Sequence, residues 1–499
     1  MATLAALRGK WFINPAAAVD PTLPPTSRHT GSTVSAYTDG NLVTFLNDAK
    51  AYMKEWHDAV VDLTTWGGGE ILHSGWRFEG VRTLGELVPA SDALELLKAA
   101  DAAGVAVYVL LSRHGFGLAS ALNRATVLWL IANGVSRTAM DNRFPPTGSC
   151  HQKVVVFKHP SLSRAVVGSV DISKSRWDTP DHLVDDPERN PRYGKQTHDT
   201  GVKIVGPAVA DIEADFRDRW NDSSRTLGME PLEFPQPMIT SAAAAPMSAG
   251  PHSVQVLQTY GRTLPIFGYS WYASGEFTYW ASWLNAVKKA TNYIYIEDQY
   301  LLPGGTPPFA LGSTAGFARD TEPIYQLGRA IARGVTVVVV TPSNAEDSVH
   351  VYIKYQRDLG IEYLHECAAG SGRLLVTSLE EDRSPVYVHS KLLLVDDAFM
   401  IIGSSNVGQR SVACDGELSV GVVDANEQLV REVRTTVWAE HLRAAPGDLT
   451  DVADAVERFR RCEGRIRPYP YATPTEAGKP KQHELVTRTV IDPYYGPPR

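Results

Sequence analysis

The chain has little of several features that would place it in a simple class of protein. Its 499 residues include only four cysteines, widely spaced and without a C-x-x-C pair, which suits neither a disulfide framework nor a zinc site. No apolar run approaches the roughly 18 residues of a membrane span. The N-terminus also lacks the basic region and long apolar core of a secretory signal. We therefore expect a soluble, cytoplasmic protein, secreted only if a leader has been removed.

Strong charge of either sign is also missing. The formal net charge is -8, and a mildly acidic chain has no general attraction to polyphosphate. This argues against a non-specific nucleic-acid binder. Hydrophobic residues at 43% and charged residues at 21% are ordinary globular values. A chain of this length is expected to form roughly two to four domains.

Three segments of the chain recur in the same order. The members of each pair are 230 to 238 positions apart. A near-constant interval indicates duplication of a domain of about 200 residues. The pairs are 103–110 with 333–340, 150–156 with 388–394, and 168–171 with 403–406.

The two copies share a local pattern that predicts an α/β layer. Asp92 and Glu95 form a capping box that opens a helix, Gly104 ends it, and a β-rich run follows. The second copy repeats this order with a helix over 324–332, Gly334 and a run of valines. A continuous apolar strand after a helix indicates a strand that is buried on both faces.

Each copy also contains an H-x-K triplet in a β-rich run. His151 and Lys153 alternate along the first run, and His389 and Lys391 along the second. Residues i and i+2 of a strand point the same way, so two facing triplets would surround an anion with two imidazoles and two ammonium groups. One imidazole can attack phosphorus, the other can protonate the leaving alkoxide, and the lysines can stabilise the non-bridging oxygens. This chemistry needs no metal, and a phosphodiester fits it.

Carboxylates follow the two triplets at similar distances. Asp178 lies 27 residues after His151, and Glu417 lies 28 residues after His389. We expect each carboxylate to hold one nitrogen of the histidine in its own copy.

Other polar residues near the triplets are candidates for phosphate contact or for bracing. Hydroxyl, amide and carboxyl groups beside the two Gly-Ser pairs are assigned to substrate binding: Ser169, Asp171, Ser405 and Asn406. Loop or domain-interface hydrogen bonds are expected for His182, His198 and Asp199, and loop bracing for Arg176 and Arg410.

Taken together, these motifs resemble those of the phospholipase D superfamily. The HKD signature of that family is similar to His389-x-Lys391-x4-Asp396 followed by 403–406. The segment after the first HKD motif of phosphatidylcholine-cleaving phospholipases D is similar to Gly168-x-x-Asp171-x4-Arg176-Trp177-Asp178. Three further segments resemble the family in the same order: His198-Asp199, 295–300 and 438–442. The resemblance covers roughly residues 60 to 445.

The resemblance implies a fold and a reaction. The fold is α/β, with two duplicated α/β/α sandwich lobes and the active site at their interface. The reaction is hydrolysis of a phospholipid, or transfer to an alcohol, in two steps through phosphohistidine, with His151 as nucleophile and His389 as acid. The catalytic set is then His151, Lys153, His389, Lys391, Asp178 and Glu417, with no cofactor. A nuclease or phosphodiesterase acting on a non-lipid diester, and a catalytically dead phosphate-binding scaffold, stay open as alternatives.

One position departs from the family pattern. The aspartate expected five residues after Lys153 is Lys158. An odd offset along a strand turns the side chain away from the catalytic pair, so we expect a structural role at this position.

Composition predicts how the chain is divided. We expect a first lobe with an N-terminal extension over 1–233, a linker over 234–253, a second lobe over 254–462 and a Pro-rich tail over 463–499. As partners we expect a phospholipid or other phosphodiester substrate and transient contact with a membrane surface, without nucleic acid. The protein is expected to be a monomer.

Overall fold

A computed structural model of the chain describes residues 3–16, 23–113, 118–144, 148–190, 192, 194–223, 232–244, 247–261, 268–271, 275–303, 319–343, 348–475 and 478–481. The end of the predicted tail, 482–499, lies outside this range. None of the described helices is long and apolar enough to cross a bilayer.

The first half of the chain alternates strands and helices. Its elements are α1 (Leu4–Trp11), β1 (Thr38–Asn47), α2 (Asp48–Trp66), β2 (Glu70–Gly75), α3 (Ala93–Ala102), β3 (Ala106–Ser112), α4 (Leu118–Ala132), β4 (Thr138–Asp141), β5 (Lys153–Lys158), β6 (Arg164–Gly168), β7 (Thr197–His198), β8 (Thr200–Val205), α5 (Ala208–Asn221) and β9 (Leu232–Glu233).

The second half repeats the alternation. Its elements are β10 (His252–Tyr260), β11 (Glu276–Phe277), α6 (Thr278–Lys289), β12 (Tyr293–Asp298), α7 (Pro323–Ala332), β13 (Thr336–Val340), α8 (Ser348–Ala368), β14 (Leu374–Glu381), β15 (Ser384–Val388), β16 (Lys391–Val395), β17 (Phe399–Gly403), α9 (Gln409–Ala413), β18 (Glu417–Asp424), α10 (Leu429–Leu442), α11 (Val452–Arg460) and β19 (Ile466–Pro468). Short 3-10 helices cover Pro89–Ser91, Arg319–Thr321 and Pro446–Leu449.

The predicted duplication is visible in the order of the strands. The first sheet runs β4-β3-β2-β5-β6-β8-β1, and the second runs β14-β13-β12-β16-β17-β18-β10. In both sheets the three strands at the outer end are parallel and the others antiparallel. An antiparallel pairing of β1 with β10 joins the two sheets.

Helices cover both faces of the sheets, as the predicted α/β fold requires. One core holds α2, α3 and the outer face of the first sheet, and a second core holds α6, α7 and the outer face of the second. The third core lies between the sheets and contains α5, α10 and strand residues of both halves. The two lobes therefore share a continuous apolar interior.

The predicted helix signals are confirmed in both copies. Asp92 caps α3 by accepting hydrogen bonds from the backbone N–H groups of Leu94 and Glu95. Gly104 and Gly334 follow α3 and α7 with φ of 89° and 95°, a conformation that favours glycine.

The predicted strands around the H-x-K triplets begin two residues later than expected. β5 starts at Lys153 and β16 at Lys391, so both histidines precede the strands. The reason is a competing backbone contact. The N–H of His151 donates to the carbonyl of Gly416 at 2.8 Å, and the N–H of His389 donates to that of His198 at 2.8 Å. Each histidine is thereby attached to the other half of the chain.

The ends of the predicted domains contact other parts of the molecule. In the N-terminal extension, Trp11 stacks on Phe399 with ring centroids 5.7 Å apart, so α1 packs against the second sheet. β10 begins at His252, inside the predicted linker, and β19 of the predicted tail pairs with β14. The predicted domain boundaries stay a prediction. The contacts show that the N-terminal extension, the end of the linker and the start of the tail each pack against or pair with another part of the chain.

Candidate active site

The two histidines of the H-x-K triplets meet at one cavity between the sheets. The cavity has a volume of about 190 Å³ and is lined by both imidazoles. Its other walls come from both halves of the chain: Trp76, Ser149, Arg176, Gln299, Tyr300, Ile353, Asn406, Arg410, Ser411 and Asp415.

A carboxylate orients each histidine, but the predicted pairs are wrong. Nδ1 of His151 lies 3.1 Å from Oε1 of Glu417, and Nδ1 of His389 lies 2.7 Å from Oδ1 of Asp199. Each carboxylate therefore holds the histidine of the other half, because the histidines are docked across the lobe interface. Both Nδ1 atoms face oxygen acceptors, so each carries the proton and leaves Nε2 for chemistry.

The two histidine–carboxylate pairs have the same supporting contacts. The hydroxyl of Ser404 donates to Glu417 at 2.5 Å, and that of Ser169 donates to Asp199 at 2.6 Å. Ser411 adds a second hydrogen bond to Glu417 at 2.6 Å. The contact of Ser169 is with the carboxylate, where the sequence predicted a contact with substrate.

Asp178 lies in a different network. Its carboxylate accepts hydrogen bonds from Arg189 at 2.6 Å and from the backbone N–H of Thr197 at 2.6 Å, and it contacts Nδ1 of His182 at 3.0 Å. It is not the partner of His151, because that place is filled by Glu417. The likeness of the two sequence intervals was misleading.

Each lysine lies beside its histidine by donating from Nζ to the backbone carbonyl of that histidine: Lys153 to His151 at 2.9 Å, and Lys391 to His389. Nζ of Lys153 lies 3.4 Å from the Asp171 carboxylate and 5.4 Å from the centre of the Trp76 ring. Nζ of Lys391 donates to the side-chain oxygen of Gln299 at 3.0 Å. Trp76 and Gln299 occupy equivalent places after β2 and β12, a correspondence that the dissimilar residue types conceal in the sequence.

The other predicted phosphate ligands divide into two groups. Asn406 lines the cavity, and its buried side-chain oxygen has no hydrogen-bond partner among the described residues. Ser405 is instead bonded to Ser419, with their hydroxyl oxygens 2.9 Å apart. Asp171 is buried beside Lys153 and compensates its charge.

Arg176 contacts one of the two cavity histidines directly, where the sequence predicted only a brace. Its Nη2 lies 3.1 Å from Nε2 of His389, and it lines the cavity. Arg410 also lines the cavity but is paired with Asp415, with Nε 2.9 Å from a carboxylate oxygen, in agreement with the predicted brace.

Burial and charge shift the protonation equilibria of the site. Burial lowers the pKa of His151 well below 6.5, and the charges of Lys153 and Lys391 lower it further. Burial, then Arg176 and Lys391, lower the pKa of His389 in the same direction. Burial also raises the pKa of Glu417 to about 7 and lowers the pKa of Lys391 to about 7. Both imidazoles are therefore neutral at pH 7 when no anion is bound.

Three more histidines form a buried cluster behind the site. His198 lies between Asp48 and Glu297, with nitrogen–oxygen distances of 3.1 and 3.0 Å. Two groups in this cluster have side-chain donor atoms within 4.8 Å of one another and could hold a cation: Asp48, His182, His198 and Glu440; and His198, Glu297 and His441. Of the predicted interface contacts, those of His182 and His198 are found here, whereas Asp199 contacts His389 at the candidate active site.

The departure at Lys158 has a structural counterpart in the other half. Asp396 accepts hydrogen bonds from the backbone N–H groups of three residues at the start of β12 (Thr291, Asn292 and Tyr293), at 2.9 to 3.0 Å. Lys158 is the last residue of β5 and lies opposite Glu70, the first residue of β2; its Nζ is 2.8 Å from Glu70 and 3.1 Å from Glu213. Both side chains therefore fix the beginning of an equivalent strand, which explains why the chain tolerates a lysine here.

The chain is similar in sequence to several known proteins. Residues 284–439 match the sequence model of a family described as cardiolipin synthase, PLD-like domain. Phospholipase D alpha 1 of Zea mays is 25% identical over 404 residues, which cover 60% of this chain and 49% of that protein. Phospholipase D gamma 1 of Arabidopsis thaliana is 23% identical over 410 residues, covering 58% and 47%. The chain thus spans about half the length of these relatives.

The fold is shared with a solved structure. Phosphatidylserine synthase of Haemophilus influenzae Rd KW20 superposes with a TM-score of 0.51 at 12% identity, over 89% of this chain and 92% of that one. Residues 284–439 thus carry a PLD-like domain, and the chain as a whole is similar in sequence to phospholipases D.

Proposed function

We propose that the protein cleaves phosphatidyl-type phosphodiesters in two steps through a phosphohistidine, with water or an alcohol as acceptor. The observation that carries this proposal is the arrangement of two neutral imidazoles at one small cavity, each oriented through Nδ1 by a buried carboxylate. An isolated histidine has many structural uses. Two that share one cavity, with two lysines beside them, support nucleophilic and acid–base chemistry on an anion.

The two histidines differ in a way that assigns their roles. The His151 side chain is 14% exposed and that of His389 is 2% exposed. Among the described residues, none is hydrogen-bonded to Nε2 of His151, whereas Nε2 of His389 is covered by Arg176. We assign the attack to His151, because its lone pair faces the cavity.

In the first step, Nε2 of His151 forms a bond to phosphorus and the bond to the leaving alkoxide breaks. His389, protonated at Nε2, gives its proton to that alkoxide. In the second step, His389 takes a proton from water or an alcohol, whose oxygen attacks phosphorus and breaks the P–N bond. Glu417 and Asp199 stabilise positive charge on their imidazoles, while Lys153 and Lys391 stabilise the non-bridging oxygens.

Three observations favour a phospholipid as the substrate. The phospholipase D names of the sequence relatives favour a phospholipid. The acidic net charge of -8 disfavours a polyanionic nucleic acid as substrate. The volume of about 190 Å³ is enough for a phosphate and a small alcohol head group, while acyl chains would stay outside the cavity.

The test is head-group release from phosphatidylcholine vesicles, with and without a primary alcohol, by wild type, His151→Ala and His389→Ala. We expect release by wild type alone, and phosphatidyl-alcohol when alcohol is present. If wild type leaves the vesicles intact but cleaves a chromogenic diester in a histidine-dependent way, the mechanism stands and the substrate is not a lipid. If no diester of either kind is cleaved, the proposal is wrong and a phosphate-binding scaffold is left.

A further inference from the structure

One positively charged side chain that lines the cavity, that of Arg176, has no part in the two-histidine mechanism. Nη2 of Arg176 lies 3.1 Å from Nε2 of His389, the atom that must carry a proton when His389 acts as acid. A guanidinium group has only donors, so this hydrogen bond requires an unprotonated Nε2. The ligand-free site therefore holds its proposed acid in the wrong protonation state for the first step.

The guanidinium group of Arg176 is incompletely satisfied where it lies. Its Nε is buried and has no hydrogen-bond partner among the described residues. The nearest carboxylate oxygen, on Asp171, is 3.9 Å away, and Lys153 lies closer to that carboxylate at 3.4 Å. Arg176 thus has donors to spare on the wall of an anion-binding cavity.

The backbone next to Arg176 is held firmly. Trp177 is buried, and Asp178 accepts hydrogen bonds from Arg189 and from the backbone of Thr197. The N–H of Arg176 donates to the carbonyl of Ser173 at 3.1 Å. The base of the side chain is therefore fixed, and only its outer part can change partners.

We propose that Arg176 is a ligand of the substrate phosphate whose transfer from His389 to a non-bridging oxygen lets Nε2 of His389 take up the proton that it later donates. This inference rests on the proposed function. The anion draws the guanidinium group away, because an arginine–phosphate contact is charge-assisted, whereas the contact with a neutral imidazole is not. The proton comes from solvent water, so substrate binding and proton uptake are linked.

The other groups around His389 allow this uptake. Asp199 accepts from Nδ1 at 2.7 Å and stabilises the imidazolium, whereas the charge of Lys391 opposes it. The Tyr387 ring stacks on the imidazole with centroids 6.2 Å apart and contributes no charge. A bound phosphodiester adds a negative charge and withdraws the nearest positive one, and both changes favour protonation.

The experiment measures proton uptake by calorimetry. Tungstate, a tetrahedral oxyanion that does not itself titrate near pH 7, is bound to the 499-residue chain in buffers of different ionisation enthalpy. We expect wild type to take up about one proton on binding. Arg176→Gln should bind tungstate roughly 10- to 100-fold more weakly and take up clearly less than one proton, because no positive charge then leaves His389 when the anion binds.

Two variants serve as controls. Arg410→Gln removes the same charge from the same cavity without touching an imidazole, and it should keep the proton uptake. In His389→Asn the uptake should be absent, and adding Arg176→Gln should change the proton count no further. Melting curves establish that each variant is folded. If Arg176→Gln does not fold, wild type still tests the idea, since its tungstate affinity must rise nearly tenfold for each pH unit lowered near neutrality.

The outcomes separate this inference from the proposed function. Uptake that is equal in wild type and Arg176→Gln, or tungstate binding by wild type without uptake, overturns the role of Arg176 even if the enzyme cleaves diesters. Failure to cleave any diester overturns the proposed function itself, whatever the calorimetry gives.

Discussion

Replacing Glu417 by glutamine should make the protein more stable and less active. The carboxylate is fully buried and holds Nδ1 of His151 at 3.1 Å, and burial raises its pKa from 4.5 to about 7. Glutamine keeps the shape and an acceptor oxygen, so Ser404 and Ser411 keep a partner. What the substitution removes is the charge.

The gain in stability depends on pH. Because the folded-state pKa of Glu417 is raised, its ionisation disfavours the folded state as pH rises from 4.5 through about 7. Above that range the ionised carboxylate costs on the order of 3 kcal/mol relative to the unfolded chain. The Glu417→Gln variant has no ionisable group at this position and therefore does not incur this cost. Its advantage in unfolding free energy should be absent near pH 4 and approach this upper value at pH 8.

The loss of activity comes from the same charge. An imidazolium at His151 would lose a charge-assisted hydrogen bond, a contribution of about 1.5–3 kcal/mol. That corresponds to a fall in kcat/KM of roughly 10- to 100-fold. The assays are urea unfolding at pH 4.5 and 8 and cleavage of a chromogenic diester. A variant that is equally destabilised at both pH values, with activity reduced only in proportion to its folded fraction, would refute the reasoning.

Three further predictions concern neighbouring groups. Asp199→Asn should lower kcat/KM roughly 10- to 100-fold, whereas Asp178→Asn should lower the unfolding free energy by about 3–5 kcal/mol and leave the activity of the folded fraction nearly unchanged; steady-state kinetics and denaturation compare the two. Lys158→Asp, which restores the family motif, should lower the unfolding free energy by about 3 kcal/mol or more, because it places a third carboxylate beside Glu70 and Glu213. An unchanged melting curve would contradict this. The value of kcat/KM should fall steeply as pH rises above about 7, because Lys391 loses its proton there and binding also takes up a proton at His389; a profile that stays level between pH 7 and 9 would refute this.

The sequence predicts the duplicated fold well, because helix caps, glycines and apolar strands are local signals. Asp92 and Gly104 act in the structure as their positions indicate. The two H-x-K triplets also identify the cavity, because the histidines of both triplets line it.

The orienting carboxylates could not be found by the same reasoning. Asp199 directly precedes β8 and Glu417 is the first residue of β18, and these two strands have the same place in the repeated sheet. They lie, however, 48 and 28 residues after the histidines of their own copies, because the first copy has a longer loop before β7. Equal intervals therefore selected Asp178. Nor does a sequence interval show that each histidine crosses the interface, which depends on backbone contacts with Gly416 and His198.

The most direct test of the central claim is to trap the intermediate in His389→Asn with a diester of 4-nitrophenol. This leaving group needs no acid, but the second step still lacks its base. We predict a burst of about one equivalent of nitrophenol per enzyme and a phosphoryl adduct that peptide mass mapping places on His151. His151→Asn should give neither. A burst without an adduct on His151, or an adduct on another residue, would contradict the account.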